Sequence, residues 1–212
     1  QLLSAYARAQ EQYAAHGITT IQDGMAVEEM FPMYQMLLDS GILKLDLVVY
    51  PSPQAYDAAV ERFGALPPER HLRIGGMKVY LDGSPQGRTA WMREPYAGEA
   101  DYRGYGTMED AALEEAMELA CLRRTQLLCH CNGDGAAEQF LRCLAQVEQK
   151  HPEMAQLRPV IIHGQLLAPD QLPRVKELGA VVSFFVAHVY HWGDVHLRNS
   201  GPERASRISP AR

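Results

Sequence analysis

Apolar residues along this chain recur with two alternating periods, one near 3.6 residues and one of 2, and that alternation sets the expected fold. The spacing predicts a helix over 2–16 that stops at Gly17, a strand over 18–23, and a helix over 27–39 that stops near Gly41. LKLDLVVYP at 43–51 alternates polar and apolar positions and ends at Pro51, so it is expected to be a strand, with a helix over 54–63 behind it. IGGMKVYLDG at 74–83 reads as a strand between glycines, and 107–124 as an amphipathic helix with Thr107 as its N-cap. The remainder alternates in the same way: strand 125–131, helix 134–150, strand 158–164, helix 169–178, strand 179–188.

Six predicted strands spaced by helices imply parallel strands with helices outside. Two architectures fit, a doubly wound sheet and a (β/α)8 barrel. No GxGxxG follows the first strand, and the glycines near residue 75 lack the Lys-Ser/Thr of a phosphate-binding loop. A whole barrel needs about 250 residues. The expectation is therefore an α/β fold of the (β/α)8 TIM-barrel type, a single domain over 1–212 that is incomplete and holds about strands 2–7.

In a barrel, reactive groups sit where strands end at the C-terminal face. Three ionisable residues interrupt apolar runs near strand ends: Lys78, His130 and His163. A lone strand histidine is usually a hydrogen-bonded core residue, and a lone lysine usually reaches out to solvent. Three on three strands suggest a common centre, since a buried charge is costly unless paired or metal-bound. The segment 82–106, rich in Gly, Pro and aromatics, follows one of these strands, and loops of that length often serve function. Asp82 and Arg88 within it are candidates to bind substrate, with Trp91 and Tyr96 as apolar walls; the alternative is an Asp82–Arg88 structural ion pair. Gln165 and Trp192 follow strand ends and are further pocket candidates, whereas Asp134 reads as a helix cap.

Composition narrows the function. With 47% hydrophobic and 22% charged residues the chain can bury one large core, and no stretch is apolar and long enough to cross a membrane. A net charge of −6 argues against a nucleic-acid surface. Cys121, Cys129, Cys131 and Cys143 match no common zinc motif. Strand alternation puts Cys129 and Cys131 on one face, and all four are expected to be buried thiols in a reducing, cytoplasmic compartment. The chain opens at Gln1 inside a helical pattern and stops abruptly at Arg212, so a fragment is expected.

KVYLDGSPQGRTAWMREPY, HCNGDGAAEQFL and RPVIIHGQLLAPDQLPRVKELGAVVSFFVAHVYHWGD resemble consecutive blocks of the amidohydrolase superfamily, in the family (amidohydrolase family 3) that includes N-substituted formamide deformylase. GITTIQDG at 17–24 and GPERASRISPAR at 201–212 are similar to its flanking blocks. The resemblance implies a metal-dependent hydrolase of C–N bonds in amides, N-substituted formamides or related small molecules. It assigns Lys78, His130 and His163 as ligands of a divalent metal, zinc above all, as one or two ions. It allows Lys78 to be carboxylated, which turns a cation into an anionic bridging ligand. His188 is then placed to stabilise negative charge on the substrate. The family also uses a His-x-His pair and a later Asp, and this chain has neither equivalent, so alone it is expected to be inactive.

Two other readings stay open: a barrel lyase forming a Schiff base on Lys78, and a truncated, non-catalytic relative. An open barrel would expose strand edges, so a homo-oligomer, a dimer, is expected. No nucleic-acid or membrane partner is expected.

Overall fold

A computed structural model describes residues 1–210, so the last two residues of the 201–212 block lie outside the described residues. The chain divides into two compact units, residues 1–78 and 79–212.

In the first unit, helix α1 (Leu2–Ala15) is followed by strand β1 (Thr20–Ala26), helix α2 (Phe31–Ser40), strand β2 (Asp46–Pro51), helix α3 (Tyr56–Phe63) and strand β3 (Leu72–Ile74). The three strands lie in the order β1-β2-β3, all parallel, with Thr20 opposite Asp46 and Leu47 opposite Leu72. Helix α2 ends where Gly41 adopts φ 62°, a left-handed turn that a side chain would resist. One core holds Phe31, Tyr34, Leu37, Leu47, Val49 and Phe63, with Phe63 meeting Phe31 and Tyr34 edge to face. Two polar groups are buried here at little cost because both are satisfied. Gln10 donates to the Ile42 carbonyl and accepts from the Lys44 and Leu45 N–H groups, and the Tyr34 hydroxyl donates to Asp23 at 2.8 Å.

Strand β4 (Met77–Tyr80) runs across the division. The second unit continues with helix α4 (Asp110–Arg123), strand β5 (Leu127–Cys131), helix α5 (Asp134–Lys150), strand β6 (Val160–His163), helix α6 (Leu172–Glu177), strand β7 (Val181–Phe184) and helix α7 (Ala187–Ala205). Its sheet has the order β4-β5-β6-β7, with β5, β6 and β7 parallel; His130 stands opposite Ile162, and Cys131 opposite His163. Fully buried Leu127, Cys129, Cys131, Phe140, Leu141 and Leu144 explain why β5 and α5 pack together. The four cysteines are buried, and the Cys129 and Cys131 sulfurs lie 3.7 Å apart, as strand alternation requires.

Four local expectations are corrected. The run 74–83 is not one strand: β3 ends at Ile74 and β4 starts at Met77, which makes seven strands among the described residues. The break falls at Gly75, where a Cβ would stand 2.5 Å from Val48 and 2.6 Å from Tyr50, so the backbone crosses there only because it lacks a side chain. The strand over 179–188 ends at Phe184, and the chain turns into α7 at Ala187. Thr107 does not cap α4, which begins after Glu109; its hydroxyl instead donates to the Tyr80 carbonyl at 2.9 Å. Asp134 occupies the first turn of α5 behind Gly133, and its carboxylate accepts from the Arg93 N–H at 2.9 Å.

Candidate active site

The ends of β4, β5 and β6 carry the polar residues that the apolar strand pattern leaves unexplained. Asp82 follows β4 and is 4% exposed, a costly position for a carboxylate. Three backbone N–H groups converge on it, from Gly133 at 2.7 Å, Asn132 at 2.9 Å and Trp91 at 3.0 Å. Burial pushes its carboxyl up to about 7, and these three donors oppose the rise. Asp82 thus ties three segments together: the end of β4, the loop at Trp91 and the turn into α5. The close approach of that loop also explains Gly133, where a Cβ would sit 1.9 Å from the Trp91 carbonyl oxygen.

His130, near the end of β5, lies beside this carboxylate, its Nε2 3.6 Å from Asp82 Oδ1. The same nitrogen is 3.0 Å from the Gly83 carbonyl oxygen and 2.9 Å from the Asn132 amide nitrogen. Contacts of this kind hold an imidazole in one orientation, as outer hydrogen bonds do for ligating histidines. His163 ends β6 with φ 76°, a left-handed conformation rarely adopted by a residue with a side chain. Such strain persists where the surroundings impose it, often at functional sites. The His130 and His163 rings meet edge to face, with centroids 4.7 Å apart. Two imidazoles sharing one zinc-like ion at ordinary bond lengths place their ring centres about 5 Å apart, so the pair fits as two of its ligands.

Buried amide atoms close in sequence to these histidines lack partners among the described residues. Gln165, two residues beyond His163, is 0% exposed, and neither its amide nitrogen nor its oxygen has a hydrogen-bond partner among the described residues. Asn132 Oδ1 is in the same condition. An unsatisfied buried amide costs on the order of 1–3 kcal/mol, so these are groups that a bound molecule or water would satisfy.

The other candidates fall elsewhere. Lys78 lies on β4 in the first unit and is 7% exposed, with its Cε 3.9 Å from where a Cβ on Gly24 would stand. Arg88 pairs with Glu99 at 2.6 Å and covers the Tyr96 ring, so no Asp82–Arg88 ion pair is needed to explain either residue. Tyr96 is buried, with its hydroxyl donating to the Ala90 carbonyl, so it belongs to the packing of the 82–106 segment. His188 sits in the first turn of α7, and the Phe185 ring stands between it and His163, at 4.5 Å and 5.9 Å. Its Nδ1 is 3.2 Å from His196 Nε2; burial first, then a neighbouring histidine, lowers the pKa of both, which favours their neutral forms. Trp192 is on α7 and exposed. Sequence reading missed Asn132 and His196. The polar residue directly after His130-Cys131 was the signal for Asn132, whereas nothing in the sequence relates His196 to His188 before α7 is known.

The profile of the amidohydrolase family matches residues 1–212. This chain belongs to the amidohydrolase family. It is 27% identical over 125 residues to the putative amidohydrolase YtcJ of Bacillus subtilis (strain 168), a match covering 58% of this chain and 23% of that protein. The solved structure of an uncharacterized metal-dependent hydrolase from Pyrococcus furiosus is similar at 28% identity and a TM-score of 0.78, over 94% of this chain and 41% of that one. A second metal-dependent hydrolase, from Pyrococcus horikoshii, is similar at 26% identity and a TM-score of 0.77, over 95% of this chain and 40% of that one. The amidohydrolase chain thus spans about a quarter of the curated relative and two-fifths of these structures. Its fold class is α/β, of the (β/α)8-barrel type seen in these neighbours. The family implies a divalent metal. Among the described residues, no helix is long and apolar enough to cross a membrane.

Proposed function

We propose that these residues form part of the active centre of a metal-dependent hydrolase that cleaves C–N bonds in amides, N-substituted formamides or related small molecules. One observation carries the reading. Two histidines near the ends of adjacent parallel strands bring their rings to 4.7 Å, and Gln165, two residues beyond the second of them, is buried with its amide unpartnered among the described residues. In this reading His130 and His163 hold a divalent ion, zinc as one or two ions, and Lys78, carboxylated, is the third ligand. The units 1–78 and 79–212 then belong to one domain.

When bound, the metal would polarise the scissile carbonyl and acidify a water molecule. The protein's own residues bind, orient and exclude. Asp82 fixes the turn that presents His130 and Asn132. Gln165 and Asn132 offer amide groups to the polar atoms of a substrate. Arg88 and Trp192 complete the substrate side, and neutral His188, backed by His196, supplies a donor for charge developing on the substrate oxygen. Family membership supports hydrolysis over the Schiff-base chemistry that a strand-end lysine also allows.

The chain contains no His-x-His sequence, and by itself it is proposed to be inactive. Among the described residues β7 pairs only with β6 in its sheet, an edge that would serve self-association into a dimer. The test is hydrolysis of a panel of simple amides and N-substituted formamides by the entire gene product. His163→Ala is expected to lower kcat/KM by about a thousandfold or more, the scale of losing a metal's charge stabilisation. Undiminished turnover in that variant would sink the reading, as would substantial turnover by these 212 residues alone for the inactivity, and a monomer in sedimentation for the dimer.

A further inference from the structure

A second set of metal-ligating side chains lies away from the strand ends, where neither the sequence motifs nor the family relationship assigns anything. Cys121 is in the last turn of α4, His151 caps the C-terminus of α5, and Glu153 is in the first turn of the short 3-10 segment Pro152–Leu157. One ligand atom from each, the Cys121 sulfur, a His151 ring nitrogen and a Glu153 carboxylate oxygen, lie within 4.8 Å of one another. The His151 Nδ1 and Glu153 Oε1 are 3.4 Å apart, and the Cys121 sulfur contacts the buried Met154 sulfur at 3.3 Å.

We propose that Cys121, His151 and Glu153 form a second metal site that takes a zinc-type divalent ion, with the Met154 sulfur alongside. Geometry, charge and access all agree with it. Ligands bound tetrahedrally to zinc at about 2.0–2.3 Å stand roughly 3.3–3.7 Å from one another, so the nitrogen–oxygen pair is already at its spacing and the sulfur needs to move by at most about 1 Å. A thiolate and a carboxylate bring two negative charges to a divalent cation, and a neutral imidazole completes the set. The hard carboxylate favours zinc over Cu(I), which the two sulfurs alone would suit. Both α4 and α5 point their C-terminal ends toward these residues, the negative poles of the two helices. Cys121 is 5% exposed, whereas the side chains of His151 and Glu153 are 37% and 53% exposed, so an ion can enter from solvent and meet a buried sulfur.

Without an ion, burial and then the charges of Glu153, Glu118 and Glu148 push the Cys121 thiol up to about 11. Binding exchanges the thiol proton for the metal and releases that proton to solvent. The position also bears on the role. Cys121 and His151 precede β5 and β6, whereas His130 and His163 end those strands, so this site lies at the opposite end of the strands. Groups at that face of a barrel serve stability. The ion would clip α4 to the connection between α5 and β6.

The test uses chelator-stripped protein titrated with Co(II), a spectroscopic stand-in for zinc. The expected result is thiolate-to-cobalt absorption that saturates at one equivalent, disappears in Cys121→Ser and persists in His163→Ala. Affinity is expected to fall at least about tenfold in His151→Ala and in Glu153→Gln, whose half-exposed side chain does not threaten folding. Absence of thiolate absorption, its survival in Cys121→Ser, or binding indifferent to both His151→Ala and Glu153→Gln would overturn the site. Because the readout requires a thiolate and H163A retains it, failure here leaves the strand-end centre untouched, and failure of that centre leaves this one untouched.

Discussion

The two ends of the second unit hold polar side chains in different ways. At the C-terminal strand ends, His130, Asn132 and His163 are carried on or just after strands, and the turn that follows His130 and holds Asn132 is tied down by the three N–H groups converging on Asp82. At the opposite end, Cys121, His151 and Glu153 are carried on two helix ends and one short 3-10 segment, with a single 3.4 Å contact between His151 and Glu153. The first end is built before any ligand arrives, apart from the amides of Gln165 and Asn132 that wait for one. The second would be pulled together by its ligand. Preorganisation of this kind is what a reacting centre needs, whereas a structural ion can supply the ordering itself.

The sharpest way to break this contrast is to remove Asp82. Asp82→Ala leaves three N–H groups without their acceptor, two of them buried and one part-buried, and each unsatisfied buried donor costs on the order of 1–3 kcal/mol. A loss of at least about 3 kcal/mol is expected in chemical denaturation, with no change in Co(II) binding at Cys121 in whatever fraction stays folded. A loss below about 1 kcal/mol would mean that the strand-end turn is no better preorganised than the helix-end cluster.

A smaller effect belongs to the first turns of α5, which follow the turn held by Asp82. Glu138 on α5 accepts from Arg174 at 2.7 Å and from Arg93 at 2.5 Å. Burial alone would raise its carboxyl, but the hydrogen bonds from Arg174, Arg93 and Gln171 bring it down to about 2. A pKa lower in the folded than in the unfolded chain adds stability that is present above about 4.5 and is lost as the pH falls toward 2. With its side chain 31% exposed, the pair is screened, and Glu138→Gln is expected to cost about 1 kcal/mol at neutral pH. The variant should also flatten that part of the stability profile between pH 4.5 and 2, measured by thermal unfolding. An unchanged profile would show that these ion pairs contribute nothing to α5.

Much of the strand-end site is legible in the sequence because the physics there is local. Strand β5 reads LLCHC, and one imidazole in an apolar run near a strand end is conspicuous. The same holds for His163 in VIIHG. The 17-residue helix α5 is also legible to its ends, since a long amphipathic stretch bounded by NG and HP leaves little choice. What the sequence hides depends on distant partners. The division of 74–83 into two strands follows from Val48 and Tyr50 crowding Gly75, which no window around residue 75 contains. Asp82 looked like a candidate ligand for substrate, and its three N–H donors come from residues 91, 132 and 133. Helix α7 is concealed because Phe185 and Val186 prolong an apolar run past Phe184, the last paired residue of β7. The Cys121 cluster has no motif at all, being assembled from two helix ends about thirty residues apart.

The central claim is that His130 and His163, with Lys78, hold a metal ion. It is tested most directly by elemental analysis of protein purified without chelators, in a Cys121→Ser background so that the second site does not contribute. The account predicts close to stoichiometric divalent metal, zinc foremost, that falls at least about tenfold in Lys78→Ala and in the His130→Ala/His163→Ala double variant. Metal content indifferent to those substitutions, or no metal in the unsubstituted strand-end site, would contradict it.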